Sequence, residues 1–418
     1  MASIVAPATA AALAARYDQV RGVSETLCEP LEPEDFVVQS MPDVSPAKWH
    51  LAHVSWFFET FVLKPLGGYT AFDPAFEVLF NSYYNAVGEQ FSRPDRGLLT
   101  RPTVREIFAY RAHVDDAMRR AFAAGRLDAA TLEIVELGLH HEQQHQELLL
   151  MDLKHVFSRN PLDPIYRPRS PAPSAVPALG WQRFGDARVA IGAPAEGFAF
   201  DNERPDHDRE VPAFRLADRP VTNGEYLEFI EDGAYRNPAL WLSDGWSTVQ
   251  DKGWRAPLYW SQRDGAWTEF TLHGREAIDP GAPVCHVSYY EADAFATWAG
   301  YRLPDEFEWE TAARSGQPGD GFMDDGVFHP AMPERGQHFG QVWEWTRSAY
   351  HPYPGYRPAV GALGEYNGKF MVSQLVLRGG ACVTPRDHIR ASYRNFFYPH
   401  MRWQFGGIRL ARDDGKEA

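Results

Sequence analysis

The residues best equipped for chemistry lie in Leu137–Leu150, LGLHHEQQHQELLL. His141 and His145 stand four apart in a run with helical composition, so on a helix both imidazoles point the same way. Two neutral imidazoles on one face are a start on a site for Zn, Fe, Cu or Ni, but they leave a divalent ion underligated. Trp49-His50-Leu51-Ala52-His53 offers two candidates for a third donor. On a helix His50 and His53 lie within about 60° of each other. His53, which precedes a long apolar face, is the better ligand. His140 points about 100° away from His141 and suits a neighbouring role. The plain alternative is a set of hydrogen-bonded bundle histidines with no metal. A second alternative is a zinc hydrolase, since His141-Glu142-Gln143-Gln144-His145 fits His-Glu-x-x-His literally and would make Glu142 a general base.

A second group of reactive side chains is Asn81-Ser82-Tyr83-Tyr84-Asn85, followed by Arg93-Pro94-Asp95-Arg96-Gly97. Tyrosines beside a redox metal can give up a proton or a hydrogen atom, and arginines can hold a carboxylate by paired hydrogen bonds. The same residues would also suit a packed aromatic loop with solvated arginines. Farther on, Cys285-His286, Arg302-Leu303-Pro304-Asp305-Glu306, Trp343-Glu344-Trp345 and Arg378-Gly379-Gly380 interleave charge, turn glycines and Trp. That mixture suits scaffold more than catalysis.

The elements that must position these groups fall into two halves. Residues 1–157 read as helices: Thr9–Leu27, a second starting at Ser45-Pro46 with Ser45 as N-cap, then Thr100–Gly125 and Ala129–Phe157 capped by Asp128. Four such segments are what a helical bundle needs. The connection Pro65–Leu99 is too long for a bundle turn and is a candidate functional loop. Residues 158–177 carry six prolines and read as an extended linker. From 178 to 412 short segments broken by Gly, Pro, Asn and Asp predict an irregular α+β domain with two clear helices, Asn223–Asp232 and Tyr290–Ala299. Residues 413–418 read as a polar tail.

Composition narrows the function. The 418 residues are 44% hydrophobic and 23% charged, enough to bury two cores. A net charge of −15 argues against a general nucleic-acid or anionic-membrane binder. No apolar run is long enough to span a bilayer, and the Ala-rich start lacks the basic segment of a signal peptide. Three scattered cysteines (Cys28, Cys285, Cys382) give neither a disulfide framework nor a thiolate zinc site, which fits a reducing cytoplasm.

Taken together, WHLAHVSWFFE, HHEQQH, CHVSYYEADAFATWAGYRLPDEFEWETAAR and VWEWT, in this order, resemble the sulfoxide synthases of ergothioneine biosynthesis (EgtB-type) over nearly the whole chain. The first half is similar to a DinB-type four-helix bundle. The second is similar to the formylglycine-generating-enzyme (sulfatase-modifying, C-type-lectin-like) fold. The resemblance displaces the hydrolase alternative, which leaves the second half unexplained. It implies a non-haem Fe(II) centre held by His53, His141 and His145, which leaves three cis positions for thiolate, imidazole and O2. It implies joining of the sulfur of cysteine or γ-glutamylcysteine to C2 of hercynine (Nα-trimethylhistidine), with formation of a sulfoxide.

By the same resemblance Gln144 would bind the hercynine imidazole, Asn395 its carboxylate region, and Phe396 its trimethylammonium. Tyr83 and Tyr84 match the tyrosine pair of members that use free cysteine. Phe397 stands where γ-glutamylcysteine users have an acid, which favours free cysteine, and Lys369 would pair with its carboxylate. The carry-over to Arg93 and Arg96 is weaker. Asp387 replaces the second cysteine that formylglycine-generating enzymes use beside the position of Cys382, so the second domain is a reused fold. A selenosugar donor, as in the selenoneine-forming branch, is the alternative reading of the substrate.

Overall fold

The computed structural model describes residues 9–169 and 174–415. Part of the proline-rich linker (170–173), the first eight residues and the last three of the polar tail lie outside the described residues. Two compact units form. One runs to Asn160 and takes in Glu196–Phe200 and Arg357–Gly368. The other comprises Pro161–Ala195, Asp201–Tyr356 and the chain from Lys369 onward. The pattern of the sequence assigns 196–200 and 357–368 to the second domain. Both are turn-rich stretches without periodicity, so nothing local to them signals the helical unit they join.

The helical unit contains α1 (Ala10–Cys28), α2 (Ala47–Phe58), the short turns α3 (Lys64–Leu66) and α4 (Phe76–Leu79), α5 (Val104–Ala123) and α6 (Ala129–Ser158). Local chemistry fixes most starts. The Thr9 hydroxyl accepts the Ala12 N–H, Thr103 and Glu106 form a capping box, and Asp128 accepts the Thr131 N–H. Ser45 does not cap α2. Pro46 is the N-cap, without a side-chain bond, because the Ser45 hydroxyl is taken by Arg96 at 2.9 Å. Every residue of α2 is buried, so the helix is apolar all round and its few polar side chains need partners inside the bundle. Past Phe58 the helix widens into a π-turn, Glu59–Leu63.

The second unit holds β1 (Trp181–Phe184), β2 (Ala187–Ile191), β3 (His207–Val211), β4 (Phe214–Ala217), β5 (Trp260–Arg263), β6 (Ala266–Thr271), β7 (Gly274–Ala277), β8 (Trp343–Ala349), β9 (Leu375–Arg378), β10 (Asn395–Phe397), β11 (Gly406–Gly407) and β12 (Ala411–Asp413). They form small sheets in the orders β1-β4-β12, β10-β9-β8-β11, β2-β3 and β5-β6-β7. The tail expected from 413 onward starts later: Asp413 ends β12, and Asp414 is held by Arg183 and Arg215. Its helices are α7 (Asn223–Glu231), α8 (Ser243–Lys252), α9 (Tyr289–Trp298) and α10 (Glu306–Ala313). The pattern predicts only α7 and α9. The sequence of α8 is rich in Ser, Asp, Gly and Thr, all poor helix formers. Buried on nearly all sides, α10 shows no amphipathic stripe, although its Asp305–Glu308 capping box marks the start.

The charged scaffold motifs become buried ion pairs in this unit. Arg378 and Arg394 both reach Glu306, and Arg409 pairs with Glu344. Such pairs cost desolvation, and losing one partner strands the other charge.

In the helical unit Gly138 lets α6 pack directly against the rings of Phe57 and Phe58 on α2. A Cβ there would stand 2.6 Å from a ring carbon of Phe58 and 2.9 Å from one of Phe57. Gly138→Ala should therefore destabilise by about 1–3 kcal/mol through overpacking, against a helix-propensity gain of about 1 kcal/mol. Urea unfolding checks it. A stabilised variant would mean that the two helices do not touch there.

Candidate metal centre

His53 comes from the middle of α2, and His141 and His145 from successive turns of α6. All three offer a ring nitrogen within 4.8 Å of the others. His53 Nε2 lies 3.2 Å from His141 Nε2. Two nitrogens bound cis to one ion at about 2.1 Å lie about 3 Å apart, so the spacing fits a shared metal. His53 Nδ1 is 2.6 Å from the Phe80 carbonyl. That oxygen can only accept, so the proton sits on Nδ1 and Nε2 is left bare for a metal. Trp49 and Trp56 lie parallel to the His53 ring, at centroid distances of 4.6 and 5.6 Å. Arg96 covers Trp49 at 3.4 Å.

The centre is built to stay uncharged. Burial pushes the His141 imidazole down to about 3. Burial, and then the neighbouring imidazoles, hold His53 and His145 well below their ordinary value. Neutral imidazole is the form that binds metal.

Glu142 is turned away from this cluster. Its carboxylate accepts hydrogen bonds from Ser24 at 2.6 Å, Arg111 at 2.7 Å and Arg21 at 3.0 Å. Burial works to raise its pKa, but the two guanidiniums and the Ser24 hydroxyl bring it down to about 2. Arg21 continues to Asp115, which Tyr17 also donates to, both at 2.7 Å. A carboxylate so committed is no general base, and the hydrolase alternative fails on geometry. His140 likewise faces elsewhere, stacked on Phe198 with centroids 3.8 Å apart and 3.1 Å from an Arg16 nitrogen.

The loop before α5 is knotted by Asn81. Its side chain accepts from the Tyr84 N–H and donates to the Tyr84 carbonyl, both at 3.0 Å. Tyr83 and Tyr84 stack with centroids 4.6 Å apart. Tyr84 is fully buried, and burial, followed by the Tyr83 phenol, raises its pKa well above the ordinary range, so it keeps its proton. The sequence gives no hint of Tyr366. Its ring lies 5.6 Å from that of His141 and 6.4 Å from that of Tyr83, and its hydroxyl donates to Gln144 Oε1. The preceding Glu365 accepts the backbone N–H groups of Asn85 and Ala86, which ties this segment to the tyrosine loop. Of the two loop arginines, Arg93 is exposed and Arg96 is buried.

In the other unit Asn395, Phe396 and Phe397 form β10, paired with β9. Phe396 stacks on Tyr350 at 4.1 Å, and Phe397 meets Trp403 edge-on at 5.5 Å. Lys369 is exposed, its ammonium 5.8 Å from the Phe370 ring.

Residues 16–149 match the DinB superfamily, and 183–339 and 336–414 match the sulfatase-modifying factor enzyme 1-like domain. The chain is 34% identical over 409 residues to the hercynine oxygenase of Mycobacterium tuberculosis, covering 89% of this chain and 92% of that protein. It is 28% identical over 235 residues to ergothioneine biosynthesis protein 1 of Schizosaccharomyces pombe, covering 52% of this chain and 28% of that one. It is 33% identical over 272 residues to the formylglycine-generating enzyme of Streptomyces coelicolor, covering 50% and 82%.

Removing the Glu142 carboxylate leaves two buried guanidiniums short of a partner. Glu142→Ala should destabilise the protein by about 3–5 kcal/mol. Chemical denaturation measures this, and an unchanged midpoint would show that the network is not formed.

Proposed function

The chain belongs to the hercynine oxygenase family, and from that premise we propose that it is an Fe(II)- and O2-dependent oxidoreductase of ergothioneine biosynthesis that joins cysteine to hercynine. The observation that carries this reading is the neutral cluster of His53 and His141, both buried, with the half-buried His145, in a chain spanning 92% of a hercynine oxygenase. In the overall reaction the S–H bond of cysteine and the C2–H bond of hercynine break. A C–S and an S–O bond form, giving hercynylcysteine sulfoxide, and the second oxygen atom leaves with both hydrogens as water.

Three neutral imidazoles suit Fe(II), which supplies the oxygen chemistry when bound. The chain's own residues then have these roles. Gln144 presents its amide to the hercynine imidazole, in exchange for the Tyr366 hydroxyl it now accepts from. Asn395 holds the hercynine carboxylate region, and Phe396 offers a ring face to the trimethylammonium. Lys369 pairs with the cysteine carboxylate. Phe397 supplies no partner for a glutamyl ammonium, which favours cysteine over γ-glutamylcysteine. Arg96 is buried against Trp49 and Ser45, so the exposed Arg93, which also donates to the Asp43 carbonyl, is the arginine that meets a substrate carboxylate. Tyr84 keeps a protonated phenol, and Tyr83 stacks on it, as the pair that donates a proton or hydrogen atom to the reacting groups.

The reaction runs in the cytoplasm, where the three unbridged cysteines stay reduced. No helix among the described residues is long and apolar enough to cross a membrane.

Anaerobically reconstituted protein should consume O2 only when hercynine and cysteine are both present. Cysteine should be favoured over γ-glutamylcysteine by about tenfold or more in kcat/KM, the effect of roughly one misplaced charge contact. A selenosugar serves as the competing donor. Turnover with cysteine alone would overturn the reading, and preference for the selenosugar would reassign the donor. Of Tyr83→Phe and Tyr84→Phe, one should shift product from sulfoxide toward oxidised thiol. Unchanged ratios in both would remove the phenol from the mechanism.

A further inference from the structure

His50 belongs to the same helix as His53 but faces the back of His145. Its Nδ1 lies 2.9 Å from Nδ1 of His145, and its Nε2 lies 3.0 Å from Oδ2 of Asp152 on α6. The same carboxylate oxygen accepts the Ser45 N–H at 2.7 Å. His50, Asp152 and Ser45 are each 4% exposed and His145 is half-buried, so the protons of these contacts must be placed consistently.

With His50 as the neutral imidazole, one arrangement makes both contacts attractive. Asp152, as a carboxylate, accepts a proton from Nε2 of His50, so Nδ1 of a neutral His50 is bare and accepts the Nδ1–H of His145. His145 then has a bare Nε2, the nitrogen left over for a metal. In the reverse arrangement a neutral His50 carries its proton on Nδ1. Its lone pair at Nε2 then faces a carboxylate, and the proton of His145 moves onto the nitrogen needed by a metal. The first is attractive at both contacts and the second repulsive at one, so the pair acts as a tautomer lock.

We propose that His50 and Asp152 are positioning residues that fix His145 as its Nδ1–H tautomer and so hold its Nε2 ready for the metal. The proposal rests on the three-histidine centre and goes beyond it by assigning a function to the second histidine of Trp49–His53. The Phe80 carbonyl serves His53 in the same way. His141 Nδ1 has no hydrogen-bond partner among the described residues. Two of the three ligands are thus anchored from behind, and the strength of the site depends on those two anchors.

The test reads tautomer and metal affinity, independently of turnover. Long-range 1H–15N correlation of the metal-free full chain should show His145 with its proton on Nδ1, and His145 protonated on Nε2 in the unaltered protein would overturn the proposal. In His50→Phe the tautomers should mix, and the affinity for Co(II), measured by chelator competition, should fall about 10–100-fold with stoichiometry near one. Asp152→Leu should lose affinity likewise. Asp152→Asn, whose carbonyl oxygen can still accept from His50, should retain most of it. Wild-type affinity and an unmixed tautomer in both His50→Phe and Asp152→Leu would sink the proposal. Failure of the unaltered chain to bind Co(II) at all would instead count against the three-histidine centre itself.

Discussion

The close packing of α2 on α6 is the constraint on which the rest depends. Three imidazoles from two helices can share one point only if the helices approach within side-chain contact, and Gly138 makes room for Phe57 and Phe58 to do so. The contact excludes water, and exclusion of water keeps the imidazoles neutral, since a buried imidazolium without a partner is costly. The fold thus keeps the three candidate ligands in the charge state that a metal needs, with no carboxylate in the cluster itself. Glu142, the acidic residue between His141 and His145, is drawn off by Arg21 and Arg111 on another face of α6. Segregating the charges this way stabilises the bundle and keeps the centre electrically bare.

Around that dry centre the less regular parts of the chain supply reach. The π-turn after α2 sets Phe61 against Tyr84 with centroids 5.2 Å apart, and Tyr84 in the loop knotted by Asn81 also meets Trp56 at 5.6 Å. Segment 357–368 adds a further phenol through Tyr366, fixed by the hold of Glu365 on the tyrosine loop. Irregular backbone is where substrate groups and reactive side chains are most often mounted, on a rigid support. Here the support is the helix pair that also carries the three clustered imidazoles.

How much was legible follows from how local each signal is. The His141–His145 pair, the helix caps at Thr9, Thr103 and Asp128, and the bundle itself depend on neighbours within a few residues, and the sequence displays them. The choice of His53 over His50 was readable only as a preference, because three-residue spacing puts both on nearly the same face. Their division of labour depends on Phe80 and Asp152, which are distant in sequence. Tyr366 had no local signature at all. It sits in a glycine-rich stretch more than two hundred residues from Gln144, and only the folded chain joins them. The hydrolase-like spelling of the motif left an alternative open for a related reason, since spacing cannot show that Glu142 points at two arginines.

The most direct test of the account is the Fe(II) affinity and stoichiometry of the anaerobic protein, compared across His53→Ala, His141→Ala, His145→Ala and His140→Ala. The account predicts one Fe(II) per chain, a loss of about 100-fold or more in affinity for each of the first three, and no comparable loss for His140→Ala. Iron retained at full strength without His53, or lost with His140, would contradict it.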